Sequence, residues 1–149
     1  MGSLAGASML GAERTVVAAG ESEAKTAPDA DLMQEHGVLK RVLLAYGEIV
    51  RRIGAGKEFP AQAVDDSATI IRTFVENYHE RQEEKFLFPR FRQAVHLVDL
   101  VDVLYAQHQA GRRLTERILA ESKSLAGADS RSRLASDLEA FIRMYEPIS

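Results

Sequence analysis

From Asp29 onward, apolar residues recur at intervals alternating between four and three, the spacing that lays one stripe along a helix packed nearly parallel to its neighbours. The first stripe is Leu32, His36, Leu39, Leu43, Tyr46, Val50 and Ile53. Pro28, Asp29 and Asp31 mark its start, and Gly54 with Gly56 its end. A second stripe, Val64, Ala68, Ile71, Val75, His79, Glu83 and Phe86, opens at Phe59-Pro60 and is expected to kink or end near Pro89. The third runs Leu97, Val101, Leu104, His108, Gly111, Thr115, Ile118, Ser122 and Leu125, with a stop at Gly127. Asp129 or Ser130 is expected to cap a fourth, whose stripe is Leu134, Leu138, Phe141, Tyr145 and Ile148. No strand pattern competes. The pattern predicts an all-α fold, an antiparallel up-down four-helix bundle over residues 31–149.

Residues 1–30 differ from the rest: small and polar, without an aromatic, with Leu4, Met9, Leu10, Val16 and Val17 as the larger apolar groups. Such a segment buries too little surface to offset its ordering entropy, so it reads as a disordered tail. The alternative is the remnant of a truncated export signal, which would lack its positive n-region because Gly2 follows Met1 directly. The two readings leave a cytoplasmic or a periplasmic, exported location open. With no run of 18 apolar residues, no membrane span is expected.

Three of the four histidines stand where the stripes call for aliphatic residues. His79 and Glu83, four apart, share one helix face. In an antiparallel hairpin, residues equidistant from the turn lie at one height. About a turn centred near residue 57, His36 mirrors a position one from His79; about a turn near 94 or 95, His108 falls within the mirror of His79–Glu83. Three imidazoles and a carboxylate from three helices therefore share one interior layer. Burying them is costly unless they serve something, and a bound metal accounts for the set. A buried hydrogen-bond network is the plainer alternative. Glu84, one position further round than Glu83, is expected to point away from the layer.

The stretch His79-Glu80-Arg81-Gln82-Glu83-Glu84-Lys85-Phe86-Leu87-Phe88-Pro89 resembles the second-helix pattern of hemerythrin-like (HHE cation-binding) domains, four-helix bundles with a non-haem di-iron centre. Gln34-Glu35-His36 and Gln107-His108 match that family in kind, and the likeness covers about residues 31–148. The resemblance implies iron as cofactor, with His36, His79, Glu83 and His108 as ligands and Glu83 as the bridge between two irons. An internal echo suggests two related hairpins: His36 before Lys40-Arg41 parallels His108 before Arg112-Arg113. The family's fourth helix carries a His after Tyr-x-Pro and a Glu four residues on. Here Tyr145-Glu146-Pro147 is followed by Ile148 and Ser149, so the second ligand set is incomplete. Glu146 is the nearest substitute metal ligand. A chain truncated in its fourth helix, or a variant with one well-made iron position, would both give this ending.

The chain of 149 residues has no cysteine, which excludes thiolate catalysis, disulfides and Cys-based metal sites. Its net charge of -3 offers no basic excess for nucleic acid. His96 reads as a solvated helix-terminus residue, Tyr46 and Tyr105 as packing, and Arg51-Arg52 and Arg112-Arg113 as solvated faces. Three functions stay open at this point. The leading one is an iron protein that binds O2 or NO, or senses or buffers iron or oxygen. The second is an iron enzyme that degrades peroxide or performs another oxidation, and the third is a metal-free helical interaction module.

Overall fold

The computed structural model describes residues 28–146, with side chains from residue 33. Residues 1–27 of the tail expected over 1–30, and the terminal positions Pro147, Ile148 and Ser149, lie outside the described residues, while residues 28–30 belong to the first helix. Four helices and no strand make up the described chain: α1 (Pro28–Gly54), α2 (residues 61–93), α3 (Val98–Ser122) and α4 (Ala128–Tyr145). α1 packs on α2 and α4, and α3 packs on the same two, so the helices stand at the corners of a square. This is the predicted four-helix bundle.

The stripes become its core. Leu43, Tyr46, Val64, Ala68, Ile71, Val75, Ile118, Leu134, Leu138, Phe141 and Tyr145 are buried together, with Leu39, Val50 and Ile53 packed against them. Each large side chain so removed from water contributes roughly 1.5–3 kcal/mol. Tyr46 and Phe141 meet edge to face, 5.4 Å between centroids.

The helix ends follow glycine. Gly56, at φ 65°, closes α1: Lys57 N–H donates to the Arg52 carbonyl at 2.8 Å and Gly56 N–H to that of Ile53 at 3.1 Å. Arg51 and Arg52 in the last turn face the negative end of the helix dipole and both bond Glu48. At α4 the expectation of an Asp129 or Ser130 cap fails. Gly127, at φ 111°, takes the cap position, and Ser130 Oγ donates back to its carbonyl at 3.0 Å. The sharp reversal needs a residue free to adopt positive φ, so glycine wins over a capping side chain.

α2 departs most from the expected pattern. Two of its segments, Ile71–His79 and Glu83–Leu87, are π-helical, with hydrogen bonds closing from i to i+5. Each wide turn rotates less per residue than the 100° of an α-helix. The stripe drifts accordingly. Phe86, expected inside, is 52% exposed, and Phe88 is buried in its stead at 4%. Pro89 does not end the helix. It falls in the first turn of the α-helical segment Phe88–Gln93, where a missing N–H costs least. The helix stops at Ala94, whose backbone is extended.

Gly111 of α3 is buried beside α4, and a Cβ built there would lie 2.6 Å from Tyr145 Oη and 3.1 Å from Met144 Cε. Gly47 of α1 faces nothing within 4 Å. Gly111→Ala is therefore expected to destabilise the chain by about 1–3 kcal/mol through overpacking. Gly47→Ala should stabilise it by about 0.5–1 kcal/mol through helix propensity. Thermal melts of the two variants check this. Equal shifts of the same sign would show that the α3–α4 contact does not depend on a missing side chain.

Candidate metal centre

One end of the bundle interior holds the polar layer. A cavity of about 80 Å³ is lined there by Glu35, His36, His79, Glu80, Glu83, Gln107, His108 and Tyr145, with Leu39, Lys40, Val75 and Leu104 completing the wall. That volume accommodates several waters, or an ion with a small ligand. Glu83 is its centre. Its Oε1 lies 3.2 Å from His79 Nε2 on the same helix, and its Oε2 lies 3.3 Å from His108 Nε2 on α3. His79 Nδ1 pairs on the other side with Glu35 of α1, and its ring stands perpendicular to that of His36, centroids 5.1 Å apart. His108 is stacked on Phe88, with 5.4 Å between centroids, which fixes the plane of its ring.

A second row of carboxylates runs beside the first. Glu76, Glu80 and Glu84 follow each other at four-residue spacing along α2; Glu80 and Glu84 reach partners on α3 and α4, while Glu76 pairs with Arg72 on its own helix. Glu84 Oε1 is 3.1 Å from His108 Nδ1 and 2.8 Å from the Arg112 guanidinium. Glu80, only 1% exposed, accepts a hydrogen bond from Tyr145 Oη at 2.9 Å. Its other oxygen lies 3.1 Å from Arg112 Nη2, yet no N–H is aligned on it, and it is left as a buried acceptor without a donor. Glu80, Glu84 and His108 offer ligand atoms all within 4.8 Å of one another, a buried Glu/Glu/His group able to hold a metal ion.

The layer's electrostatics follow from these contacts. Burial acts to push His79 down, but hydrogen bonds to Glu83 and Glu35 outweigh it and hold the imidazole up at about 9. Burial would raise Glu83, but the two histidines hold its carboxyl down at about 2. His108 is raised against its own burial by Glu83, Glu80 and Glu84. Glu80 goes up to about 7, chiefly because it is buried. The His79 imidazole is thus protonated near neutral pH only because carboxylates surround it. A cation in the cavity would satisfy the same carboxylates.

The donor set fits a metal. Two ligand atoms bound to one first-row ion lie about 3.0–3.4 Å apart, and Glu83 keeps such a separation from His79 through one oxygen and from His108 through the other. Two imidazoles and a carboxylate with room beside them match the donor pattern of non-haem iron sites. The unsatisfied Glu80 oxygen is a further acceptor for a cation.

Of the residues expected at the site, His36, His79, Glu83 and His108 all line the cavity. Glu146 is exposed at the end of α4 and is not among the lining residues. Two expectations are corrected. Glu84 does not point away, and Arg112 is no solvated residue: its guanidinium bonds the Glu76 carbonyl at 3.4 Å and pairs with Glu80 and Glu84. The reason is geometric. A helix at the corner of a square has two neighbours about 90° apart, close to the 100° between residues i and i+1. His79 can therefore face α1 while Glu80 faces α3. Arg113, the neighbour of Arg112, is exposed as expected, as is His96. Glu35, Glu80, Glu84, Arg112 and Tyr145 were missed as site residues. The spacing of Glu76, Glu80 and Glu84 was the signal available for part of that set.

Comparison with known proteins agrees with this geometry. The model of the Hemerythrin HHE cation binding domain matches residues 27–147. Uncharacterized proteins of Mycobacterium bovis and Mycobacterium tuberculosis are 52% identical over 124 residues, 82% of this chain and 48% of theirs. The chain thus spans about half the length of the curated relatives it matches. No solved structure matches it significantly. Among the described residues, no helix is long and apolar enough to cross a membrane.

The ion pairs imply a pH signature for the metal-free chain. Raised to about 9, His79 contributes stability that is full below about 6.5 and is lost as pH rises through 9. Lowered to about 2, Glu83 contributes stability that is full above about 4.5 and is lost as pH falls through 2. Urea titrations in chelator should show the stability gap between the wild type and His79→Gln shrinking between about pH 6.5 and 9.5. A gap that stays constant over that range would mean His79 carries no charge in the folded chain.

Proposed function

The chain belongs to the hemerythrin HHE cation-binding domain family, and from that premise we propose that it is a non-haem iron protein whose metal takes up a small diatomic ligand, O2 or NO. The observation that carries this reading is the Glu83 carboxylate shared between the Nε2 atoms of His79 and His108, which belong to different helices. His79, Glu83 and His108 would supply metal ligands, with His36 at the same cavity wall and Glu80 and Glu84 on the flank toward α3. Bound iron would supply an open coordination position for the diatomic ligand.

The chain's own groups set the conditions. Glu35 holds His79 through Nδ1 and so orients Nε2 toward the cavity. Phe88 stacks on the ring of His108, and Leu104 adds an apolar wall to the cavity. Tyr145 is spent on Glu80 and is pushed up by burial and by that carboxylate, so it is a poor proton donor to the cavity. A cavity tyrosine tied to a carboxylate, and so withheld from a bound peroxide, favours reversible binding over cleavage. That contrast favours the carrier or sensor reading over the enzymatic one.

Binding must displace the proton from His79, since only neutral histidine is a ligand. Anaerobic loading with Fe(II) near neutral pH is therefore expected to release protons, and affinity should rise with pH toward the value of about 9 that His79 holds. His79→Ala should lose most of the iron, read by elemental analysis of desalted protein. NO added to the Fe(II) form should give an iron–nitrosyl spectrum in the wild type alone. Wild-type chain that holds no iron after anaerobic reconstitution would refute the proposal, leaving the interaction module. Steady gas release from peroxide would favour the enzyme.

A further inference from the structure

We propose that the outer groove between α2 and α3 is a binding site for a phosphate-class oxyanion, held by the guanidinium groups of Arg72, Arg81, Arg112 and Arg113. The groove shares no lining residue with the metal cavity, and the inference does not depend on the metal reading. Its volume is about 330 Å³. One wall is built by Arg72, Asn77 and Arg81 of α2, the other by Gln109, Arg112 and Arg113 of α3. Two helices thus bring four guanidinium groups and two side-chain amides to one space.

The carboxylates nearby leave most of these donors open. Glu76 is buried and takes Arg72 through Nε at 2.9 Å, so the two terminal nitrogens of Arg72 have no bond among the described residues. Glu80 and Glu84 engage Arg112 through Nη2 alone, from the bundle interior. Arg81 lies 3.7 Å from a Glu84 oxygen, beyond hydrogen-bond length. Arg113, Asn77 and Gln109 make no side-chain hydrogen bond or ion pair among the described residues. Glu116 is the exposed carboxylate of the lining, set against four guanidinium groups.

The donor chemistry selects the ligand. A guanidinium is a permanently charged planar fork that matches pairs of phosphate oxygens. A tetrahedral oxyanion carries oxygens enough to face both walls at once, whereas a carboxylate presents only two. The chain's net charge of -3 gives no field for a long polyanion, but a single small anion needs only a local excess of donors. One of the four groups is fixed in advance: Arg112 Nη2 donates to the Glu76 carbonyl at 3.4 Å, a bond that spans from α3 to α2. A donor already held in place loses little freedom when an anion arrives.

Calorimetric titration of the full-length chain with inorganic phosphate tests this, at low ionic strength and after chelation so that no phosphate is counted at a metal. One phosphate per chain is expected, with affinity falling as KCl is added. Arg81→Gln and Arg113→Gln change exposed side chains and leave Arg112 in place, so both should fold. Each should weaken binding about tenfold, and the double variant should abolish it. Arg90→Gln, an exposed arginine outside the groove, should leave binding unchanged. Glycerol phosphate binding more tightly than inorganic phosphate would support an ester as the occupant, and the reverse would support the free ion. No phosphate binding, acetate binding as tightly as phosphate, or an affinity that Arg81→Gln and Arg113→Gln leave unchanged would each overturn the inference.

Discussion

Glu83 keeps one oxygen toward an imidazole of its own helix and the other toward an imidazole of α3, and this sharing governs the polar end of the bundle. Isolated, a buried carboxylate costs several kcal/mol. Here Glu76, Glu80, Glu83 and Glu84 crowd one helix, with Glu35 across the cavity on α1. Two histidines, Arg72, Arg112 and the Tyr145 hydroxyl answer them. Breaking one such buried pair costs about 3–5 kcal/mol, because the surviving charge has nowhere to go. A well-packed apolar layer would serve stability at least as well. The arrangement makes sense as a site kept ready for a cation.

The remainder of the bundle supplies the rigidity the site needs. Tyr46, Ile71, Ile118, Leu134, Leu138 and Phe141 form a fully buried apolar block toward the other end. The long helix α2 passes through both regions and changes character on the way. Its π-helical segments end at His79 and resume at Glu83, so the local geometry is adjusted where the ligand-type residues sit. The close approach of α4 at Gly111 brings Tyr145 to Glu80, tying the fourth helix to the site although Glu146 itself stays outside the cavity.

Much of this was legible from residue spacing. The four stripes located the core, and counting outward from the turns brought His36, His79, Glu83 and His108 to one cavity. The second carboxylate row was not legible by that method. Following one row of a helix assumes a single buried face, whereas a corner helix buries two flanks nearly one residue's rotation apart. Glu80 and Glu84 therefore looked like the solvated neighbours of ligand-type residues. Arg112 was hidden by the same assumption and by its pairing with exposed Arg113. Phe86 and Phe88 exchanged roles because wide turns cannot be read from an α-helical period.

X-ray absorption fine structure of the iron-loaded chain tests the central claim most directly, because it counts the ligand types around the metal. The account predicts imidazole scattering from at least two histidines together with carboxylate oxygen. A shell of oxygen alone, without imidazole scattering, would contradict it and place the iron outside the His79–Glu83–His108 layer.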